Sequence, residues 1–232
     1  VFKRAHHQHI AQVLSQLDAA LLRHCGCLFG GGTAIALRHG EYRESVDIDF
    51  LVSHMDGYRH LRQLLTGPQG LNALVSAGGE PLVAREVRAD QYGLRTAVTV
   101  GDSPIKFEIV LEGRITLAEP QPTDTVCGVA TLTPLDMATS KLLANADRWR
   151  DDGVFSRDLI DLAMMAPPLP LLRAAVAKAE PAYGTAILTS LDQAITQLKT
   201  RPGRLARCTQ ALAMDTPPAV VWQKIRALQG VR

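Results

Sequence analysis

Hydrophobic positions recur at helical spacing near the start of the chain. Ile10, Val13, Leu14, Leu17 and Leu21 predict one amphipathic helix over residues 8–24, leading into the short apolar stretch Cys27-Leu28-Phe29. The period then changes to two. In V-D-I-D-F-L-V, residues 46–52, Val46, Ile48 and Phe50 alternate with Asp47 and Asp49. The stretches at 94–100 and 105–111 alternate likewise and are joined by the turn G-D-S-P, which predicts an antiparallel pair. From Pro134 onward strand signals stop and Ala/Leu-rich segments take over, at 134–149 and 156–165. Beyond the loop A-P-P-L-P, further helices are predicted at about 170–180, 185–200, 203–213 and 218–229. The fold class is therefore α+β: a mixed β-sheet domain with flanking helices over residues 1–132, followed by a C-terminal helical domain over 133–232.

Composition narrows this only in part. With 232 residues and 47% hydrophobic content, the chain can bury a substantial core in one domain or two. No run of about 18 apolar residues is available to span a bilayer, and the N-terminus lacks the apolar core of a secretion signal, so no membrane association and a cytoplasmic location are expected. Cys25, Cys27, Cys127 and Cys208 fit neither a disulfide framework nor a zinc spacing, and read as reduced and mostly buried. His6, His7 and His9 read as a solvated helix face rather than a metal site. The net charge of +2 conceals an asymmetry, because nine Lys/Arg against three Asp/Glu lie from Pro170 to the end. A basic surface for phosphates fits that bias, and so does an ordinary Lys/Arg-rich helical surface.

The carboxylates carry the chemistry. On a strand, Asp47 and Asp49 share one face while Val46, Ile48 and Phe50 anchor the other, leaving two like charges roughly 7 Å apart. Repulsion makes this arrangement costly unless hydrogen bonds or a cation compensate it, and a divalent metal turns the cost into a site. Glu108 alternates with Ile105, Phe107, Ile109 and Leu111. If its strand lies beside 46–52, three carboxylates converge on hard Mg²⁺, or Mn²⁺; otherwise Glu108 is a solvent-facing partner of Lys106 or Arg114. Gly30-Gly31-Gly32-Thr33 precedes a helix-like run, where backbone N–H groups and the helix dipole can receive phosphate oxygens. The same glycines also suit a tight strand-to-helix turn. P-loop, H-E-x-x-H and G-x-S-x-G patterns are absent.

Glycine turn, helix-sized gap and D-I-D together resemble the signature of the DNA polymerase β-type nucleotidyltransferases, hG[GS] followed by Dh[DE]h. Either Gly31-Gly32 or Gly32-Thr33 is the equivalent of the hG[GS] pair, with Thr33 standing where Ser or Gly is usual. G-G-T-A-I-A-L-R, R-E-S-V-D-I-D-F, K-L-L-A-N-A-D-R and R-D-L-I-D-L, in that order, are similar to the AbiEii/AbiGii toxin family. The likeness covers residues 29–52 and 134–163. It implies the nucleotidyltransferase fold for the sheet domain, phosphate binding by Gly31, Gly32 and Thr33, Mg²⁺ on Asp47 and Asp49, Lys141 reaching the triphosphate, and Asp158 as an essential acid of the second domain. Lys141, Asn145 and Arg148 also form a polar stripe at i, i+4 and i+7, and Arg157, Asp158 and Asp161 form a second patch to which nucleotide binding by Arg157 is assigned. Taken alone, the helices equally permit a plain surface lysine at 141 and a surface ion pair between Arg157 and Asp161.

The family implies an Mg-NTP-dependent toxin of a bacterial toxin–antitoxin pair. It would transfer a nucleoside monophosphate to an acceptor hydroxyl, with the 3′ end of tRNA foremost, a cognate antitoxin as partner, and Glu108 aiding a second metal or acting as base. The basic tail, with Lys199, Arg201, Arg204 and Arg207, is expected to follow RNA. Rival readings are an antibiotic- or protein-modifying nucleotidyltransferase and a catalytically silent nucleotide-binding scaffold.

Overall fold

The computed structural model, which describes residues 2–231, breaks the predicted N-terminal helix in two. Helix α1 is Ala5–Gln16 and α2 is Ala19–His24. Leu17 turns extended (φ −73°, ψ 145°), and the Asp18 side chain accepts the Leu21 N–H at 2.9 Å, capping α2. A strong N-cap inside an apolar-periodic run divides the helix without disturbing the period. The histidine face is corrected as well. His7 is fully buried, and its Nε2 accepts the Ser45 N–H at 3.1 Å.

The chain forms two compact units, one comprising the residues up to Arg38 with Ser45–Thr133, the other His39–Glu44 with the residues from Pro134 on. In the first unit, strand β1 (Leu28–Phe29) leads into α3 (Gly31–Arg38), β2 (Ile48–Val52) and α4 (Met55–Leu65). Short strands β3 (Val83–Ala84) and β4 (Arg88–Ala89) precede the long pair β5 (Gly93–Val100) and β6 (Ser103–Leu111). Pairing of Val100 with Ser103 leaves Gly101 and Asp102 as a two-residue hairpin loop, and Gly101 has φ +58°, as the mirror-type turns of such loops require. A further small pair, β7 (Thr125–Val126) and β8 (Val129–Ala130), closes the unit.

The main sheet runs β1-β2-β6-β5-β3, with β4 also on β5. It is mixed: β2 and β6 are parallel and the other ladders antiparallel. One face is apolar, built on Phe29, Phe50 and Phe107, whose successive ring centroids lie 5.5 Å apart. Ile48, Ile109, Leu94, Ile105 and Val98 extend it, all buried. Each such side chain contributes about 1.5–3 kcal/mol by leaving water, which fixes the register of β2 and β6 and therefore the side on which their polar residues stand. Val46 is not part of this anchor. It is 47% exposed, because β2 begins only at Ile48.

The second unit is helical: α5 (Pro134–Arg148), α6 (Arg157–Met165), α7 (Leu169–Tyr183), α8 (Ala186–Thr200), α9 (Arg204–Ala211) and α10 (Pro218–Ala227). Helix α5 packs against α6, α7 and α8, and Leu142, Leu143, Leu159, Ala175 and Ile195 of these four helices are buried. Asp136, in the first turn of α5 where the helix dipole favours an acid, is held by Lys178. Cys25, Cys27 and Cys208 are buried and all four cysteines are free. No described helix is long and apolar enough to cross a membrane.

Candidate active site

The glycine turn backs directly onto Asp49. Phe29 pairs with Phe50 across β1 and β2, and the Gly30 N–H then donates to the Asp49 carbonyl at 2.8 Å. Gly31 opens α3 with φ +66°, and a Cβ built there would lie 2.4 Å from Asp49 Oδ2 and 2.9 Å from Asp49 Cβ. Glycine is therefore required at this position twice over, for its left-handed backbone and for the space its missing side chain leaves to the carboxylate. At the start of α3 the first N–H groups have no intrahelical acceptor and carry the positive end of the dipole. Gly31 and Gly32 are half-buried there, so the anion-seeking end of a helix and a strand carboxylate share one place.

Asp47 is tied to the same turn from behind. The Thr33 hydroxyl donates to the Asp47 carbonyl at 2.5 Å and also meets Ser45 Oγ at 2.8 Å. Thr33 is 1% exposed. Its side chain thus positions the aspartate backbone, and what it can offer to a phosphate is its N–H. Asp47 and Asp49 are both half-buried.

Glu108 lies directly opposite Asp49 in the parallel ladder. Its two oxygens are held by Arg95 Nε at 2.9 Å and Lys106 Nζ at 2.7 Å, while Arg114 pairs with Glu112 instead. Among the described residues no three His, Cys, Asp or Glu side chains stand together as a metal cage. The donors present are two carboxylates one residue apart beside a helix start. That is the hard-oxygen set Mg²⁺ takes when one or two carboxylates share it with substrate phosphates, and the missing side chain of Gly31, which lets the Asp49 carboxylate stand against the helix start, fits this use.

The second unit holds a buried ionic network. Lys141 Nζ contacts Asp158 Oδ1 at 3.0 Å and Asp161 Oδ2 at 2.7 Å. Arg148 closes on Asp158 with Nε at 2.6 Å and Nη2 at 2.9 Å. Arg43 grips Asp161 through two hydrogen bonds, and the Tyr42 hydroxyl donates to it at 2.6 Å. Burial pushes the Asp161 carboxyl up, but Arg43 and then Lys141 outweigh it and hold it well below the usual carboxylate range. Asp158 is lowered in the same way, burial being overcome by Lys141 and Arg148. Burial depresses Lys141, yet Asp161 and Asp158 raise it above an ordinary lysine. The network stays charged because every ion has a fixed counter-ion.

These contacts exclude two of the bland alternatives. Lys141 is 6% exposed and no surface lysine, and Asp161, 0% exposed, pairs with Arg43 and Lys141 rather than with Arg157. Arg157 is half-buried in the first turn of α6 and forms no ion pair among the described residues. Phe155 and Ser156, just before it, both adopt positive φ (52° and 53°), a costly backbone that re-aims the chain into Asp158. Tyr42 and Arg43 do not stand out in the sequence, because their partner lies 119 and 118 residues away. The one visible hint is a charged residue beside an aromatic in an otherwise glycine- and acid-rich loop. In the C-terminal basic set, Arg204 is buried, and Arg201 and Arg204 both engage Asp152.

Two solved structures are similar to the chain over nearly its whole length. JHP933 from Helicobacter pylori superposes with a TM-score of 0.56 at 14% identity, covering 100% of this chain and 93% of that one. A candidate nucleotidyltransferase from H. pylori gives 0.53 at 14% identity, covering 97% and 92%. At this identity the likeness is one of fold, the mixed sheet with flanking helices. No curated protein matches the sequence. The model of a family described as the nucleotidyl transferase AbiEii toxin of a type IV toxin–antitoxin system matches residues 12–226, and the chain belongs to that family of nucleotidyltransferase toxins.

Proposed function

We propose that the protein transfers a nucleoside monophosphate from an Mg²⁺-bound NTP to an acceptor hydroxyl, foremost the 3′ end of tRNA, with release of pyrophosphate. The observation that carries this reading is the contact of Gly31 with Asp49, which joins a phosphate-receiving helix start to a metal-type carboxylate pair. Asp47 and Asp49 would hold Mg²⁺, or Mn²⁺ in its place, and the ion would supply charge neutralisation on the transferring phosphate. The N–H groups of Gly31, Gly32 and Thr33 receive phosphate oxygens. The Thr33 hydroxyl keeps Asp47 in place. Glu108 is the third acid, as ligand or as base toward the acceptor hydroxyl, and it acts once an anion draws Arg95 and Lys106 away from it.

Lys141 has three N–H donors, of which Asp158 and Asp161 take two, and the third serves a triphosphate oxygen. One turn along α5, Asn145 Nδ2 is buried with no hydrogen-bond partner among the described residues, an unfilled donor that supports the same assignment. Arg157 adds a nucleotide contact, and Asp158 holds Lys141 and Arg148 in position. Membership of a toxin–antitoxin family supplies the expected protein partner, a cognate antitoxin.

The test incubates the purified protein with Mg²⁺, each labelled NTP in turn and total tRNA, with Asp47→Ala alongside. Label in RNA that disappears in Asp47→Ala supports the reading. Label only in protein moves the acceptor to a polypeptide. Absence of label, with NTP binding indifferent to Mg²⁺ and to Asp47→Ala, defeats it in favour of a silent scaffold.

A further inference from the structure

The polar face of the sheet carries a row of charge leading away from the carboxylates. In register, Asp49 on β2 lies opposite Glu108 on β6, Glu108 opposite Arg95 on β5, and Arg95 opposite Arg88 on β4. Residues directly opposite one another point to the same side of a sheet, so these four side chains form one line across three strand spacings, about 14 Å. Lys106 stands on the same side, one alternation along β6 from Glu108. The side chains of Arg95 and Lys106 are 40% and 54% exposed, and Arg88 is exposed. Ala97 and Thr99, small and half-buried, share the side of Arg95, so no bulky side chain stands on this part of β5.

The row has a feature that stability alone does not explain. Arg88 and Arg95 face each other as a cross-strand pair, and like charges directly opposite destabilise a ladder. Arg95 is compensated by Asp90 at 2.7 Å and Glu108 at 2.9 Å. Arg88 has no ion pair among the described residues, and neither has Arg85, whose N–H donates to the Ala97 carbonyl at 2.9 Å near the same edge. An anion lying along the row removes the repulsion between Arg88 and Arg95, and it competes with Glu108 for Arg95 and Lys106. By contrast, the C-terminal basic set spends Arg201 and Arg204 on Asp152.

Resting on the nucleotidyl-transfer reading, we infer that this row, Lys106, Arg95 and Arg88 with Arg85 at the edge, is the track for the phosphodiester backbone of a single-stranded RNA acceptor whose 3′ end reaches Asp49. The cations meet successive phosphates, and the neutralised carboxylate of Glu108 is released where the acceptor hydroxyl arrives. Sequence selectivity is low on such a track, because phosphates carry no base information.

A short fluorescein-labelled single-stranded RNA, titrated over a range of salt without NTP, tests this on the full chain. Arg88→Glu and Arg85→Glu, both at exposed positions, are expected to weaken binding several-fold and to flatten the log-affinity against log-salt slope by about 0.7 for each phosphate that no longer meets a cation. Mg-NTP binding should stay at the wild-type level in both. RNA affinity and slope unchanged in Arg88→Glu but reduced in Lys199→Glu and Arg207→Glu would overturn the track and place RNA on the C-terminal helices. Failure of the wild-type protein to bind the RNA would overturn it as well. RNA bound through Arg88 with no nucleotide transfer to any acceptor would defeat the catalytic reading while leaving the track intact, so the two failures are distinguishable.

Discussion

Arg43 closes on Asp161 with two hydrogen bonds, Nε to Oδ1 at 2.7 Å and Nη2 to Oδ2 at 2.9 Å, across 118 residues of sequence. Both side chains are buried, at 5% and 0% exposure. This makes the loop His39–Glu44 a structural member of the helical unit. Arg43→Ala leaves a buried carboxylate short of its main counter-ion and is expected to cost about 3–5 kcal/mol of unfolding free energy. Arg43→Lys should recover only part of it, since an ammonium does not reproduce the two-point grip. Urea unfolding of the purified variants measures both, and a loss below about 1 kcal/mol in Arg43→Ala would show the pair to be dispensable.

Stability should fall in acid, and by way of the same network. Asp158 and Asp161 titrate lower in the folded protein than in the unfolded chain. Their contribution is thus fully present above the unfolded carboxylate value of about 3.9 and is lost as pH falls through the lower folded values. Lys141 is raised, so its contribution holds below about pH 10.4 and drains as pH rises beyond it. Urea midpoints followed from neutral to acid pH should drop steeply in the wild type. A wild-type acid limb no steeper than that of a double Asp158→Asn, Asp161→Asn variant would refute the assignment.

Gly31→Ala should damage the site more than the fold. The left-handed backbone costs an L-residue about 1–2 kcal/mol, but the new methyl also lands 2.4 Å from Asp49 Oδ2 and must displace it. Misplacing a catalytic group by about 1 Å is worth roughly a hundredfold in turnover. Gly40→Ala is the control, with φ +80° and nothing within 4 Å of an added Cβ. Equal transfer rates in the two variants would mean that the carboxylate contact is irrelevant.

Thr33→Val keeps the shape and removes the hydroxyl that holds the Asp47 carbonyl and Ser45. A loss of about 1–3 kcal/mol is expected for the polar groups left unmatched, with weaker Mg-dependent NTP binding. Thr33→Ser should restore both, and a Thr33→Ser variant as impaired as Thr33→Val would show that the hydroxyl does not carry the effect. Calorimetric titration with Mg-NTP separates the outcomes.

Much of the α+β division was legible in the sequence, and so was the strand through Asp49, though it begins at Ile48 and leaves Asp47 just before it, because periodicity reports which face of an element is buried and needs no knowledge of its neighbours. The glycine turn and Asp47 with Asp49 were legible for a similar reason: their spacing is local, and β1, α3 and β2 follow one another in the chain. The break at Asp18 was hidden because a single capping side chain outweighs an unbroken apolar period. The pairing of Glu108 with Lys106 was open to the sequence, being local to one strand, whereas the burial of Lys141 and Asp161, the grip of Arg43 and Tyr42, and the hold of Arg95 on Glu108 were decided only by tertiary structure. A charged side chain looks the same in sequence whether it is solvated or neutralised. Its state depends on partners brought together by packing across 17 residues for Lys141 with Asp158 and 118 for Arg43 with Asp161. The row from Asp49 to Arg88 has the same origin, since strand order and register, set by the apolar face beneath, place four residues from distant segments in one line.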